Sequence, residues 1–230
     1  MRAWLQRSLW DVVPRDHRDS PAVLRRRQLV TIAFVVLGGT LLGLSLRIEP
    51  GSPWFYPATL GLAVVWTIGA FASGPLHLGR ISGQGDQPVR PVLQPVLVGL
   101  ALAGLFVAGG LVVREIDRLD EQVRSVLDFA DEGVVPLLVV ITAVNGVAEE
   151  LFFRGAAYAA IPRHPVAWTT VAYVVATAAT GNVMLAFAAI LLGVVVGLER
   201  RASGGILAPI LTHVTWSTAM LFALPALFGG

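Results

Sequence analysis

Seven long apolar runs dominate this chain, near residues 28–46, 54–74, 92–113, 134–154, 165–181, 183–198 and 204–226. A helix needs about 20 predominantly apolar residues to cross a bilayer, and most of the runs reach that length. The fifth and sixth are shorter and are separated only by Thr180-Gly181-Asn182. They read as a tight hairpin or as including a re-entrant piece. Hydrocarbon offers no partners to exposed backbone groups, so runs of this kind span as helices. The expected fold is all-α: a polytopic transmembrane helical bundle of about seven spans, six to eight, with an N-terminal cytoplasmic arm.

Composition agrees. The 230 residues are 55% hydrophobic and 14% charged, against roughly 25% charged in a soluble domain. Mean hydropathy is +0.72. Cys is absent, which excludes disulfides and thiolate metal sites. All 17 basic residues are Arg, and with abundant Ala, Val and Gly this suggests GC-rich coding and a bacterial source. The pI of 9.7 does not call for a nucleic-acid partner. The Arg excess lies in segments flanking the spans, where orientation rules put it.

The chain divides into a basic cytoplasmic arm (1–27), N-terminal transmembrane helices (28–113), an acidic amphipathic connection (114–133) and a C-terminal transmembrane domain (134–226). In the arm, Trp4, Leu5, Leu9 and Trp10 form an interfacial amphipathic turn or belong to a solvated tail. The stretch from Ser82 to Pro88 is a loop by its turn residues. With the N-terminus cytoplasmic, 13 Arg fall inside and 4 outside. The bias fits a multi-pass plasma-membrane protein with the end of its fourth span at the cytoplasmic face.

Ionisable side chains within a span are costly and mark function by default. Here they converge on the C-terminal half. The fourth span ends Ala148-Glu149-Glu150-Leu151-Phe152-Phe153-Arg154-Gly155, and the seventh contains Leu211-Thr212-His213-Val214-Thr215-Trp216-Ser217. Glu150 and Arg154 are four apart, so on a helix they share a face and can pair. Glu149 is rotated by about 100° from Glu150 and points to a different neighbour. A partly desolvated carboxylate without a full partner is suited to take a proton from water, as a general base does. Taken alone, the three charges read equally as interfacial groups reaching water. A lone His is more often packed on a backbone carbonyl, but a short imidazole nine residues into an apolar helix cannot snorkel. Trp216 and Ser217 share the face of His213. Ser217 could orient the imidazole or bond an oxyanion, although Ser in membrane helices mostly bonds its own backbone.

The pattern Glu149-Glu150-x-x-x-Arg154 in a span, followed by Gly155, resembles the first motif of the CAAX protease and bacteriocin-processing family. Residues 191–213, where a Gly-x-x-x-Gly helix and a short basic turn lead into a helix with an internal His, resemble its third-motif region. The resemblance covers roughly residues 134–220. It implies an intramembrane endopeptidase acting on a membrane-associated peptide or protein. Glu149 would activate water, Glu150 and Arg154 would support it, and His213 would polarise the water or the scissile carbonyl. Ser217 falls where the family often has an Asn oxyanion helper. Some members are described as metal-dependent, others as glutamate hydrolases. The family's second motif, Phe-x-x-x-His, is not matched: no His lies between His164 and His213. Asn182 is the best positional match, and Asn is a poor metal ligand beside imidazole. The cofactor, a divalent metal such as zinc or none, stays open. So does a second reading, a catalytically impaired member acting as a membrane scaffold or immunity-type binding protein. A transporter ranks below both, because no inverted repeat is found.

Overall fold

The computed structural model describes residues 6–12, 19–82, 88–131 and 133–229. Among these, six helices are long and apolar enough to cross a membrane: α1 (Pro21–Ser45), α2 (Phe55–Ser73), α3 (Leu93–Val113), α5 (Val135–Ala160), α7 (Val183–Ser203) and α8 (Leu207–Phe228). A shorter apolar helix, α6 (Pro165–Ala178), and the acidic helix α4 (Asp117–Asp131) complete the set. The chain is a polytopic helical membrane protein, as its apolar runs imply. Large side chains such as Leu29, Ile32, Val36, Ile68 and Phe71 stand more than half exposed on the outer helix faces. In water that surface would favour association, whereas lipid tails match it.

The helices start and stop for local reasons. Ser20 caps α1, its Oγ accepting from Val23 N at 3.4 Å, and Pro21 follows at the first helical position. Pro165 opens α6 in the same way. α7 runs on to Ser203, beyond the apolar run, because Glu199, Arg200 and Arg201 are good helix formers. It stops at Gly204, whose φ of 68° suits glycine. The fifth run forms only 14 residues of helix, about 21 Å of rise against a hydrocarbon core of roughly 30 Å.

α5 packs between α2 and α8, α3 lies along α8, and α6 and α7 form a hairpin. The core gathers Trp66 of α2 with Phe152 and Phe153 of α5, at ring separations of 4.7 and 5.0 Å. Gly38 of α1 abuts the Trp66 ring so closely that a Cβ would overlap it. Small residues let membrane helices approach in this way.

The loop after α2 is fastened to the α7–α8 turn. Arg80 N donates to Ser203 O (2.8 Å), Ile206 N to His77 O (2.9 Å) and Leu207 N to Leu78 O (3.1 Å). Ile81–Ser82 and Pro88–Val89 form a two-residue antiparallel ladder. Residues 83–87 of the expected loop lie outside the described residues, as do Trp4 and Leu5 of the arm. Leu9 and Trp10 belong to a π-helical turn, Gln6–Trp10, beside α7, where Arg201 Nη2 donates to Leu9 O at 3.1 Å. In α4, Val123 and Leu127 are buried against Phe228 of α8.

Candidate active site

Residues Leu151–Ala157 of α5 are wound as a π-helix. Such segments are rare and recur at functional sites. This one begins directly after Glu150 and carries Arg154, and every residue from Phe152 to Tyr158 is buried. The Arg154 carbonyl oxygen accepts from Arg200 Nε at 2.8 Å, which ties this distorted stretch to α7.

Glu150 is the hub, fully buried. Its Oε1 accepts from Arg154 Nη1 at 3.0 Å and lies 2.8 Å from His213 Nδ1. Arg154 has no acceptor to offer, so the carboxylate is the acceptor for both, and Nδ1 carries the hydrogen. That assignment leaves His213 Nε2 to face elsewhere. It faces Glu149, whose Oε2 lies 4.0 Å away. This is too long for a direct hydrogen bond and suits one bridging water.

Arg154 is fixed from three sides. Its Nη2 donates to Gly193 O of α7 at 3.2 Å, and its guanidinium lies 4.9 Å from the centre of the Tyr173 ring. A Cβ on Gly193 would stand 3.0 Å from Thr170 Cγ2 and 3.3 Å from Arg154 Nη2, so glycine makes room for the fork.

Glu149 has a different environment. Its side chain is 16% exposed, and Tyr173 Oη of α6 donates to its Oε2 at 2.7 Å. Among the described residues it pairs with no Arg. Tyr173 therefore touches both halves of the constellation, ring on Arg154 and hydroxyl on Glu149, and its ring centre lies 6.4 Å from that of His213.

Of the residues singled out from sequence, Glu149, Glu150, Arg154 and His213 are brought together. Asn182 is engaged elsewhere. Its Oδ1 caps α7 by accepting from Leu185 N (3.0 Å), and its Nδ2 donates to Gln122 O (2.6 Å) and contacts Ser125 Oγ (3.3 Å). It locks the α6–α7 turn onto α4. Ser217 Oγ donates to Val214 O of its own helix at 3.3 Å. Sequence reasoning missed Tyr173, because a Tyr in an apolar run reads as core. Its position on the helix between the first and third motifs was the only available signal.

Among the described residues, no group of three or more His, Cys, Asp or Glu side chains is placed to hold a metal ion. A catalytic zinc takes about three protein ligands. The donors facing the gap here are one imidazole nitrogen and one carboxylate, with a phenol. The donor set does not fit zinc.

Residues 131–219 match the family model described as Type II CAAX prenyl endopeptidase Rce1-like. No curated protein and no solved structure matches the chain. The matched stretch contains both carboxylates, Arg154, Tyr173 and His213. Over residues 131–219 the chain is thus similar to Rce1-like type II CAAX prenyl endopeptidases, a likeness consistent with a protease of the CAAX protease and bacteriocin-processing family.

Proposed function

We propose that the protein is an intramembrane endopeptidase in which Glu149 activates water to hydrolyse a peptide bond of a membrane-associated substrate. The observation that carries this reading is the gap of 4.0 Å between Glu149 Oε2 and His213 Nε2. Water held there would give a proton to Glu149 while its oxygen attacks the carbonyl carbon. The Nδ1 bond to Glu150 fixes the imidazole so that Nε2 takes part in holding the water or, protonated, stabilises the oxyanion. Collapse breaks the C–N bond, and Glu149 returns its proton to the leaving amine. Arg154 occupies Glu150 and keeps it out of this exchange. Tyr173 Oη orients Glu149 and offers a second donor to developing negative charge. Asn182, bonded to α4, has no part in this scheme. Ser217 enters it as an oxyanion donor only by giving up its bond to Val214 O. The membrane is read as the plasma membrane and the N-terminus as cytoplasmic, from the Arg bias.

One observation favours a second reading. The phenol of Tyr173 occupies the Glu149 carboxylate, and among the described residues no second histidine stands beside it. On that basis the protein is a catalytically impaired member that holds a partner in the membrane. Proteoliposomes that contain wild type, Glu149→Gln or Tyr173→His, challenged with a library of helical membrane peptides, separate the two. Cleavage by wild type that Glu149→Gln loses supports the protease. Cleavage by Tyr173→His alone supports the impaired member.

A further inference from the structure

A cleft of about 1150 Å³ opens where α1 begins, α5 and α7 end, and α6 begins. It is separate from the carboxylate pair: neither Glu149 nor Glu150 is among its lining residues, and Tyr158, on its wall, follows Glu149 by nine residues of helix. Five guanidiniums line it, from Arg27, Arg80, Arg90, Arg200 and Arg201, and Asp19 is the only acid among the described lining residues. Orientation rules ask only for Arg near span ends. Here the Arg come from three separate stretches of chain and converge on one concavity.

The site is built rather than incidental. Its floor is the 77–80 loop fastened to the α7–α8 turn by the three backbone hydrogen bonds already described. Arg90 Nη1 donates to Gly79 O at 2.6 Å, and Arg27 is 4% exposed beside Asp19. Arg201 Nε is buried with no hydrogen-bond partner among the described residues, and such a donor needs an acceptor. The N-terminus of α6 also enters the lining through His164 and Pro165, which adds partial positive charge. Leu76, Leu78, Val166, Val194 and Leu198 supply an apolar wall.

We infer that this cleft binds a phosphate group, carried by an anionic phospholipid headgroup or by a free phosphate. Guanidinium forks match phosphate oxygens in geometry and charge. The apolar wall beside them fits the start of an acyl chain.

The test is native mass spectrometry of the full chain in detergent, titrated with phosphatidylglycerol, with phosphatidylcholine, and with inorganic phosphate as competitor. Arg80 is exposed, and its side chain makes no hydrogen bond or ion pair to a described residue, so Arg80→Gln and Arg80→Glu leave the fold intact. Arg118→Gln, on α4, is the control. Phosphatidylglycerol should bind at least about tenfold more tightly than phosphatidylcholine, the worth of one charge-assisted bond. Arg80→Gln should lose about that factor and Arg80→Glu more. Displacement by millimolar phosphate assigns a soluble phosphate ligand, and its failure assigns the lipid headgroup. Equal binding of the two lipids with no phosphate binding overturns the inference. So does an equal loss in Arg118→Gln, or displacement by an acidic peptide but not by phosphate.

Discussion

His213 Nδ1 and Glu150 Oε1 lie 2.8 Å apart, although 63 residues separate them in the chain. The same oxygen holds Arg154 Nη1 at 3.0 Å. A fully buried carboxylate stays charged only if its partners stay in place. Arg154→Ala should therefore destabilise the domain by about 3–5 kcal/mol, the usual cost of stranding one member of a buried pair. Arg154→Lys should recover only part of this, because an ammonium cannot serve Glu150 and Gly193 O in one plane. Reversible unfolding in mixed detergent measures both. A loss below about 1 kcal/mol for Arg154→Ala, the level of an exposed pair, contradicts the pairing.

Tyr173→Phe keeps the ring on Arg154 and removes only the hydroxyl bonded to Glu149. The stability loss should be about 1 kcal/mol, one hydrogen bond. The fall in kcat should be larger, roughly 10–100-fold, if the hydroxyl orients the base and meets developing charge. Paired unfolding and cleavage measurements give the split. Equal, small effects on both would make Tyr173 a packing residue.

Asn182 should behave in the opposite way. Asn182→Ala removes the α7 cap and two contacts to α4. A lost cap alone costs about 1 kcal/mol, and the orphaned Gln122 carbonyl adds to it. Stability should fall while kcat of the folded fraction stays at the wild-type value. A large loss of kcat with unchanged stability would return Asn182 to the active site.

Thr212 Oγ1 lies 2.9 Å from Pro95 O and 2.8 Å from Glu199 Oε1. A hydroxyl has one hydrogen to donate. Both contacts are satisfied together if Thr212 donates to Pro95 O and the Glu199 carboxyl, carrying a proton, donates to Thr212. Glu199→Gln preserves a donor there and should change stability by less than about 1 kcal/mol, whereas Glu199→Ala, leaving a cavity and an unmet hydroxyl, should cost about 2–4 kcal/mol. Infrared spectroscopy should show a protonated-carboxyl band that Glu199→Gln abolishes. Persistence of the full band in that variant contradicts the assignment.

The spans were legible because a bilayer demands a fixed run of apolar residues, and no other feature of this sequence produces such runs. The Glu150–Arg154 pair was legible from its four-residue step, and His213 from its depth in an apolar helix. Three features were not. The π-helical stretch after Glu150 has the composition of any apolar helix, and only its packing among α1, α2 and α6 reveals it. Tyr173 reads as an ordinary core aromatic until α6 is laid against α5. Asn182 has a suitable sequence offset for a second-motif residue, but the α6 helix ends at Ala178 and leaves it in a capping turn. Linear spacing cannot tell a side chain facing the bundle centre from one closing a turn.

The claim on which the rest depends is that Glu149 activates a water molecule for attack on a peptide carbonyl. Its most direct measurement is oxygen-isotope incorporation. Wild type and Glu149→Gln are incubated in heavy-oxygen water with a membrane-peptide library, and new C-termini are read by mass spectrometry. The account predicts one heavy oxygen in each new carboxyl group from wild type and no products from Glu149→Gln; equal product from both proteins contradicts it.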